Sequence, residues 1–276
     1  MDTYTSIVLT YGCEIWGHHN LETIERFHLG SLKKMLRVSK YTSNAIVYGE
    51  TGSFDINVAI SKRMIQFWNS LKLDNQNKIS CILMKFSTKL YDSNIIKTKW
   101  LLKIREIIIQ AGLPYLWDLN RMDSRTLKKM MDKRLNDTFR QGWLRKIDES
   151  RLCVNYRLIK DKHEFEHYLK TQETYIRIPL TKYRCGSHFL PISNKRYDDL
   201  DNRNNCPLCS MNTVGDEYHY VMECPAFLNH RAKYVNPYFT KRPNILKYME
   251  LFSSRSKLKL LNLSKFVTEI MYVFRI

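Results

Sequence analysis

Four residues within one short stretch have the types and the spacing of a metal-binding set. Cys206-Pro-Leu-Cys209 is followed by His219 and Cys224, a C-x2-C-x9-H-x4-C arrangement. Two thiols three positions apart can face one point from a tight turn. Thiolates with one imidazole suit the tetrahedral coordination that zinc takes in structural sites, where four protein ligands leave no position open. Unbroken α-helix cannot carry both His219 and Cys224 to that point. Five residues turn through about 500°, which leaves the second side chain about 140° off the face of the first. The spacing therefore predicts a short helix that carries His219 and breaks near Cys224-Pro225, with Pro225 in the first turn of the next helix.

A second pattern invites a different chemistry. His163-Glu-Phe-Glu-His167 reads H-E-x-x-H, in which two histidines on one helical face would bind zinc and Glu164 would act as general base. A catalytic zinc also needs a third protein ligand. Tyr168, Leu169 and Lys170 follow His167, and the lysines at 160, 162 and 170 give the segment the character of a solvated face. A metallopeptidase is thus an alternative reading, ranked below the zinc staple. Gly12-x4-Gly17 is half of a phosphate loop, with His18-His19 where a lysine and a hydroxyl residue would be needed. Cys13, Cys81 and Cys153 lie among apolar residues and read as small core side chains, as do Trp16, Trp68, Trp100, Trp117 and Trp143.

The chain has 276 residues, with 45 Lys and Arg against 27 Asp and Glu, a formal charge of +18. That excess is spread along the chain with no acidic half to balance it, which points to a polyanionic partner, most simply RNA or DNA. Two foci stand out. One is the face formed by Arg125, Lys128, Lys129, Lys133 and Arg134. The other borders the cysteine cluster, with Lys195, Arg196, Arg203, Arg231 and Lys233, preceded by Lys182-Tyr183-Arg184-Cys185-Gly186-Ser187-His188. The expected nucleic-acid contacts are Lys182, Arg184, His188, Arg196, Arg203, Arg231, Lys128, Lys129 and Lys133.

These side chains must be positioned by helices. Hydrophobic residues make up 44%, enough for a packed core, and only 9 Gly and 7 Pro interrupt the chain, the first proline being Pro114. So few turn residues disfavour a sandwich or barrel. Apolar residues recur at helical spacing after Asn20 (Leu21, Ile24, Phe27, Leu32, Met35, Leu36) and after Asp55. They recur over 78–91 (Ile79, Ile82, Leu83, Phe86, Leu90), over 98–111 with Gly112 as its stop, from Asp123 or Ser124 onward, and near 243–252 and 256–274. The expected fold is mainly α: a helical bundle, then a small zinc-stapled module, then C-terminal helices. The expected divisions are 1–112, a basic helical connector over 113–180, the zinc module over 181–234, and 235–276.

Ile7-Val8-Leu9 is a short apolar run with no basic segment before it, and no run approaches the roughly 18 apolar residues of a membrane span. Seven cysteines, an odd number, fit a reducing compartment better than a disulfide framework. An intracellular protein, cytoplasmic or nuclear and not secreted, without a membrane partner, is the expectation.

Taken together, several stretches resemble the C-terminal part of the polyprotein of non-LTR (LINE-type, jockey-like) retrotransposons. They are Leu9-Thr-Tyr-Gly-Cys-Glu-Ile-Trp-Gly17, Ile24-Glu-Arg-Phe-His28, Val47-Tyr-Gly-Glu50, Leu180-Thr-Lys-Tyr-Arg-Cys-Gly-Ser-His188, Leu190-Pro191, Cys206-Pro-Leu-Cys209, Gly215-Asp-Glu-Tyr-His219 and Cys224-Pro225 with Phe227 and Arg231. The resemblance implies a thumb-like helical region over 1–112 and a helix over residues 4–16. It also implies a CCHC zinc knuckle that helps to bind the element's RNA, with Cys206, Cys209, His219 and Cys224 as ligands and Lys182, Arg184, His188, Arg196 and Arg231 around them. His163–His167 would be ordinary helix surface. A polymerase palm needs paired aspartates for two magnesium ions. The nearest doublet, Asp198-Asp199, lies in a polar, Asn-rich stretch without a strand pattern. The expectation is therefore a binding fragment without catalytic activity, and a decayed element with no biochemical role is a further alternative.

Overall fold

Short polar side chains start the helices at the places the sequence marks. The computed structural model describes residues 2–72, 78–119, 122–171, 173–192 and 205–274, and it is mainly α-helical. Among the described residues, β pairing is confined to two isolated bridges, Thr51 with Phe165 and Asn205 with Val214. No described helix is long and apolar enough to cross a membrane.

The chain divides into two units, one of residues 1–29 and 54–142, the other of residues 30–53 and 143–276. This discontinuous division departs from the expected boundaries at 112, 180 and 234. The chain passes between units at 29/30 and 142/143, each inside a helix, and at 53/54 between two helices.

The first unit holds α1 (Asp2–Leu9), α2 (Cys13–Trp16), the start of α3 (Glu22–Leu36), α5 (Ile56–Leu71), α6 (Ile79–Asp92), α7 (Lys99–Gln110) and most of α8 (Ser124–Glu149). The apolar run after Asp2 is helical, interrupted where Gly12 takes a left-handed conformation, φ 65°. Asn20 Oδ1 accepts the Glu22 N–H at 2.9 Å, Asp55 Oδ1 that of Asn57 at 2.7 Å, and Asp123 Oδ2 that of Thr126 at 2.9 Å. Each cap satisfies one of the orphan donors of a first helical turn and contributes about 1 kcal/mol. Cys13, Ile56, Ile60, Met64, Trp68, Leu101, Ile104, Ile108, Leu127 and Met131 build the core, with Trp16, Trp100 and Trp117 packed against it.

Helix α6 forms where expected but faces the other way. Cys81, Met84 and Tyr91 are its buried residues, while Ile79, Ile82, Leu83 and Phe86 are exposed. The segment is apolar on two sides, so periodicity alone cannot choose which side goes inward. Its end is a Schellman turn. Asn94 is left-handed at φ 61°, Ile95 N–H donates to Leu90 O at 3.0 Å, and Asn94 N–H donates to Tyr91 O at 3.0 Å.

The second unit holds α4 (Asn44–Thr51), α9 (Val154–Ile159), α10 (Thr174–Arg184), α11 (Leu228–Tyr234), α12 (Pro237–Thr240), α13 (Ile245–Phe252) and α14 (Lys257–Val273), together with the end of α8. The last two match the expected C-terminal helices. Helices α10 and α14 pack together, and one hydrogen bond explains how α10 tolerates an internal proline. Pro179 has no N–H to give to the carbonyl four residues back, that of Tyr175. The Ser264 hydroxyl, buried on α14, donates to that carbonyl at 2.8 Å. Around them is an aromatic core in which Tyr183 stacks on Phe252, Tyr248 meets Phe252, and Phe227 meets both Tyr220 and Phe266.

Candidate metal centre

The cysteine–histidine cluster is assembled by a bridge, a cap and a widened helical turn. Asn205 pairs with Val214, and Cys206 N–H donates to Thr213 O at 2.8 Å, which folds 206–214 back on itself. Cys206 and Cys209 thus face the segment that carries His219. Gly215 allows that return, since a Cβ there would overlap the Tyr220 hydroxyl and crowd the Cys206 Cα at 3.1 Å. Asp216 then starts a short helix, its Oδ1 accepting the His219 N–H at 2.8 Å.

His219–Glu223 is a π turn. The Cys224 N–H donates to the His219 carbonyl at 2.8 Å, a bond from residue i+5 to residue i. One extra residue per turn brings the fifth residue back toward the face of the first, so the five-residue spacing no longer separates the two side chains. Cys224 then turns to an extended conformation (φ −53°, ψ 121°), and Pro225 opens a 3-10 turn, Pro225–Phe227, that leads into α11. The expected break near Cys224-Pro225 is present. The π turn itself is an addition that spacing did not suggest.

The four ligand atoms of Cys206, Cys209, His219 and Cys224 all lie within 4.8 Å of one another, and the four residues could hold a metal ion. Cys206 Sγ is 3.8 Å from Cys224 Sγ, and Cys209 Sγ is 3.4 Å from His219 Nε2. A disulfide would bring two sulfurs to about 2.05 Å, so 206 and 224 are free thiols that converge without bonding. The supporting contacts favour ligation. Leu208 N–H points at Cys206 Sγ at 3.4 Å. His219 Nδ1 is 3.1 Å from the Thr213 hydroxyl and 3.7 Å from Glu223 Oε2, which leaves Nε2 directed at the thiols. Burial pushes the His219 imidazole below its ordinary value, so its neutral, ligating form prevails at neutral pH. In the metal-free chain burial raises the Cys224 thiol to about 12. The Ala226 backbone N–H opposes that rise and the Cys206 thiol adds to it.

Arg231 is part of this architecture and not of its surface. It is buried, with Nε donating to Val221 O at 2.8 Å and Nη2 to Cys224 O at 2.9 Å and Tyr220 O at 3.3 Å. Those carbonyls terminate the π turn, and the guanidinium caps them. Arg231 is thereby corrected from an expected nucleic-acid contact to a cap.

Arg184 and His188 need the same correction. Arg184, 2% exposed, lies against Glu50, with Nη2 to Oε1 at 2.8 Å and Nε to Oε1 at 3.1 Å. It also reaches Glu166 Oε1 at 3.2 Å and Phe252 O at 3.2 Å. Lys160 pairs with Glu166, and the Tyr168 hydroxyl donates to Glu50. Two acids and two bases make a neutral set, buried except at the half-buried Glu166. Burial by itself would lower the Arg184 guanidinium, but Glu50 and Glu166 outweigh it and hold the charge firmly in place. His188 is buried with Nε2 3.0 Å from Glu217 Oε1. No sequence spacing signals the Glu50–Arg184 pair, whose members are 134 positions apart. The one hint was a lone carboxylate after the apolar Ala45-Ile-Val-Tyr48.

The other expected contacts remain outward. Lys128, Lys129 and Lys133 are exposed on α8, and Lys182 is half-buried on α10. Arg196 and Arg203 lie outside the described residues, as do Lys195 and Asp198-Asp199. The H-E-x-x-H pattern is not on one helix: 163–166 are non-helical and His167 opens a 3-10 turn. Phe165 bridges to Thr51, His163 is buried with Nε2 3.0 Å from Ser53 O and its ring against Trp143, and Glu164 and His167 are exposed. The two histidines share no helical face, so the metallopeptidase geometry is absent, and the expected helix surface is corrected to a non-helical stretch over 163–166 that leads into a 3-10 turn, His167–Lys170.

Comparison of the chain with protein-family models, with curated proteins and with solved structures finds no match.

Proposed function

We propose that this chain is a zinc-stapled nucleic-acid-binding module, resembling the C-terminal part of a non-LTR retrotransposon reverse transcriptase and acting by binding, not catalysis. The observation that carries the proposal is the convergence of four ligand atoms within 4.8 Å. Zinc–sulfur bonds of about 2.3 Å at a tetrahedral angle place two thiolates about 3.8 Å apart. The Cys206–Cys224 separation is 3.8 Å, and the slightly shorter Cys209–His219 separation of 3.4 Å suits the shorter zinc–nitrogen bond. Three thiolates and an imidazole are a donor set that zinc prefers over hard cations. With four protein ligands the ion is structural and intracellular folding would depend on it.

Nucleic acid is the partner that the +18 charge favours. Exposed Lys128, Lys129 and Lys133 on α8, and separately Lys182, supply phosphate contacts. Fluorescence anisotropy of the zinc-loaded chain with a labelled single-stranded RNA, at 50 and 200 mM salt, tests this. If 6–10 phosphates of the single strand are neutralised, affinity falls by about 300- to 15,000-fold over that range. An affinity that does not change with salt, or no binding at low salt, overturns the reading.

A further inference from the structure

Helix α6 carries a second apolar face that nothing in the described structure covers. Ile79 is 74% exposed, Ile82 52%, Leu83 58% and Phe86 59%. Their spacing, i, i+3, i+4 and i+7, puts them on one stripe. The opposite side of the same helix, with Cys81, Met84 and Tyr91, is buried in the first unit, so the stripe is held outward by packing. The Schellman turn at the end folds the chain back at Leu90, and two further exposed residues, Ile95 and Ile96, follow it. Single exposed apolar residues need no explanation, but a continuous row of this size marks an interaction site.

Charge selects the occupant. Lys78, Lys85 and Lys89 border the stripe, and Lys97 follows at its C-terminal end, all exposed; Asp92 is the one acid along the helix. A second copy of the chain would set these lysines against each other. A lipid surface would draw on interfacial tryptophan or tyrosine, and the exposed stripe has neither. Spacing of three and four residues instead matches the ridge that a partner helix interlocks with.

We infer that the exposed face of α6 is a docking surface for an amphipathic helix of another protein, with apolar anchors at i, i+3, i+4 and i+7 flanked by Glu or Asp. This surface lies in the first unit and is independent of the metal centre and of the nucleic-acid reading. The partner helix covers Ile82, Leu83 and Phe86 and places its carboxylates beside Lys85 and Lys89.

The test uses the full zinc-loaded chain and three labelled peptides of about four helical turns. One has leucines at the stated spacing with glutamate flanks, one has the same leucines with lysine flanks, and one is a scramble of the first. Anisotropy should show the acidic peptide binding at least 10-fold more tightly than either control. Ile82→Ser with Phe86→Ser should weaken it at least 10-fold while the circular dichroism and melting of the chain stay unchanged, since both side chains are exposed. Lys85→Glu with Lys89→Glu, which leaves the apolar stripe intact, should reverse the preference toward the lysine-flanked peptide. Equal binding of all three peptides, no binding of the acidic one, or insensitivity to both double variants overturns the inference. So does binding confined to anionic phosphatidylserine vesicles, or a dimer of the chain that Ile82→Ser with Phe86→Ser dissolves.

Discussion

The Cys224 amide hydrogen-bonds to the His219 carbonyl at 2.8 Å, and this bond decides whether two of the four ligands can meet. In an α-helix the residue five along points away from the first. Here the π turn widens the ring by one residue and turns Cys224 back toward the thiols. Inserting one alanine after Met222 would lengthen the spacing by a further residue and rotate Cys224 by about 100° away from the thiols. On the zinc reading, the expected result is zinc content falling from one ion per chain to a small fraction, with Met222→Leu keeping it. Metal analysis of the two purified variants decides; full zinc in the insertion would show that the turn does not set the position of Cys224.

Zinc itself should be inseparable from the folding of 205–234. Structural zinc in finger peptides contributes roughly 10–16 kcal/mol at neutral pH. Chelation should therefore unfold that segment, and Cys206→Ser should do the same without chelator. The pH dependence has a definite sign. A thiol raised to about 12 in the metal-free chain must lose its proton to bind, so zinc binding releases protons and weakens as pH falls. Competition with a chromophoric chelator between pH 6 and 8 measures this. An affinity flat across that range would mean the thiols are not the ligands.

The helices were legible because their signals are local. Asn20, Asp55 and Asp123 each cap a helix within three residues of themselves. The cluster of Cys206, Cys209, His219 and Cys224 was legible for a similar reason, since its members span 19 residues. What spacing could not reveal were relations between distant positions. Arg184 read as a nucleic-acid contact because it stands between Lys182 and His188. Its partner, Glu50, is on another helix 134 positions away. Arg231 likewise read as surface charge, although the carbonyls it caps exist only once the π turn has formed. The inward side of α6 was also undecidable locally, because both sides are apolar.

Truncating Arg184 should unfold the second unit before it affects binding. Removing one member of a buried ion pair leaves an uncompensated charge and costs about 3–5 kcal/mol. Arg184→Ala should lose that much in urea melts. Arg184→Met combined with Glu50→Gln should recover a large part, since the charge left behind is also removed. If Arg184→Ala melted like the parent and bound RNA more weakly, the residue would belong to the interface after all.

The exposed lysines of α8 should behave in the opposite way. Lys128→Gln, Lys129→Gln and Lys133→Gln together remove three solvated charges and no packing, so stability should change little. Each lost phosphate contact on single-stranded nucleic acid lowers the salt slope by about 0.7, or about 2 for all three. The slope of log affinity against log salt reads this directly. An unchanged slope would place the phosphate contacts elsewhere.

Glu25 gives the first unit a pH dependence of its own. Its Oε2 accepts the Ile56 N–H at 2.9 Å at the start of α5, beside Asp55. Burial first, and the Asp55 carboxylate second, lift it from the ordinary 4.5 to about 7. A carboxyl raised in the folded state keeps its proton while the unfolded chain has already lost one. Its contribution to stability is therefore full below about 4.5 and is lost as pH rises through about 7. Glu25→Gln keeps an acceptor for Ile56 and removes the titration. Parent and variant should melt alike at pH 4, and the variant should be the more stable at pH 8, the gap opening between about 4.5 and 7. Thermal melts across that range measure the difference, and parallel curves would mean that Glu25 ionises in the folded protein at its ordinary value.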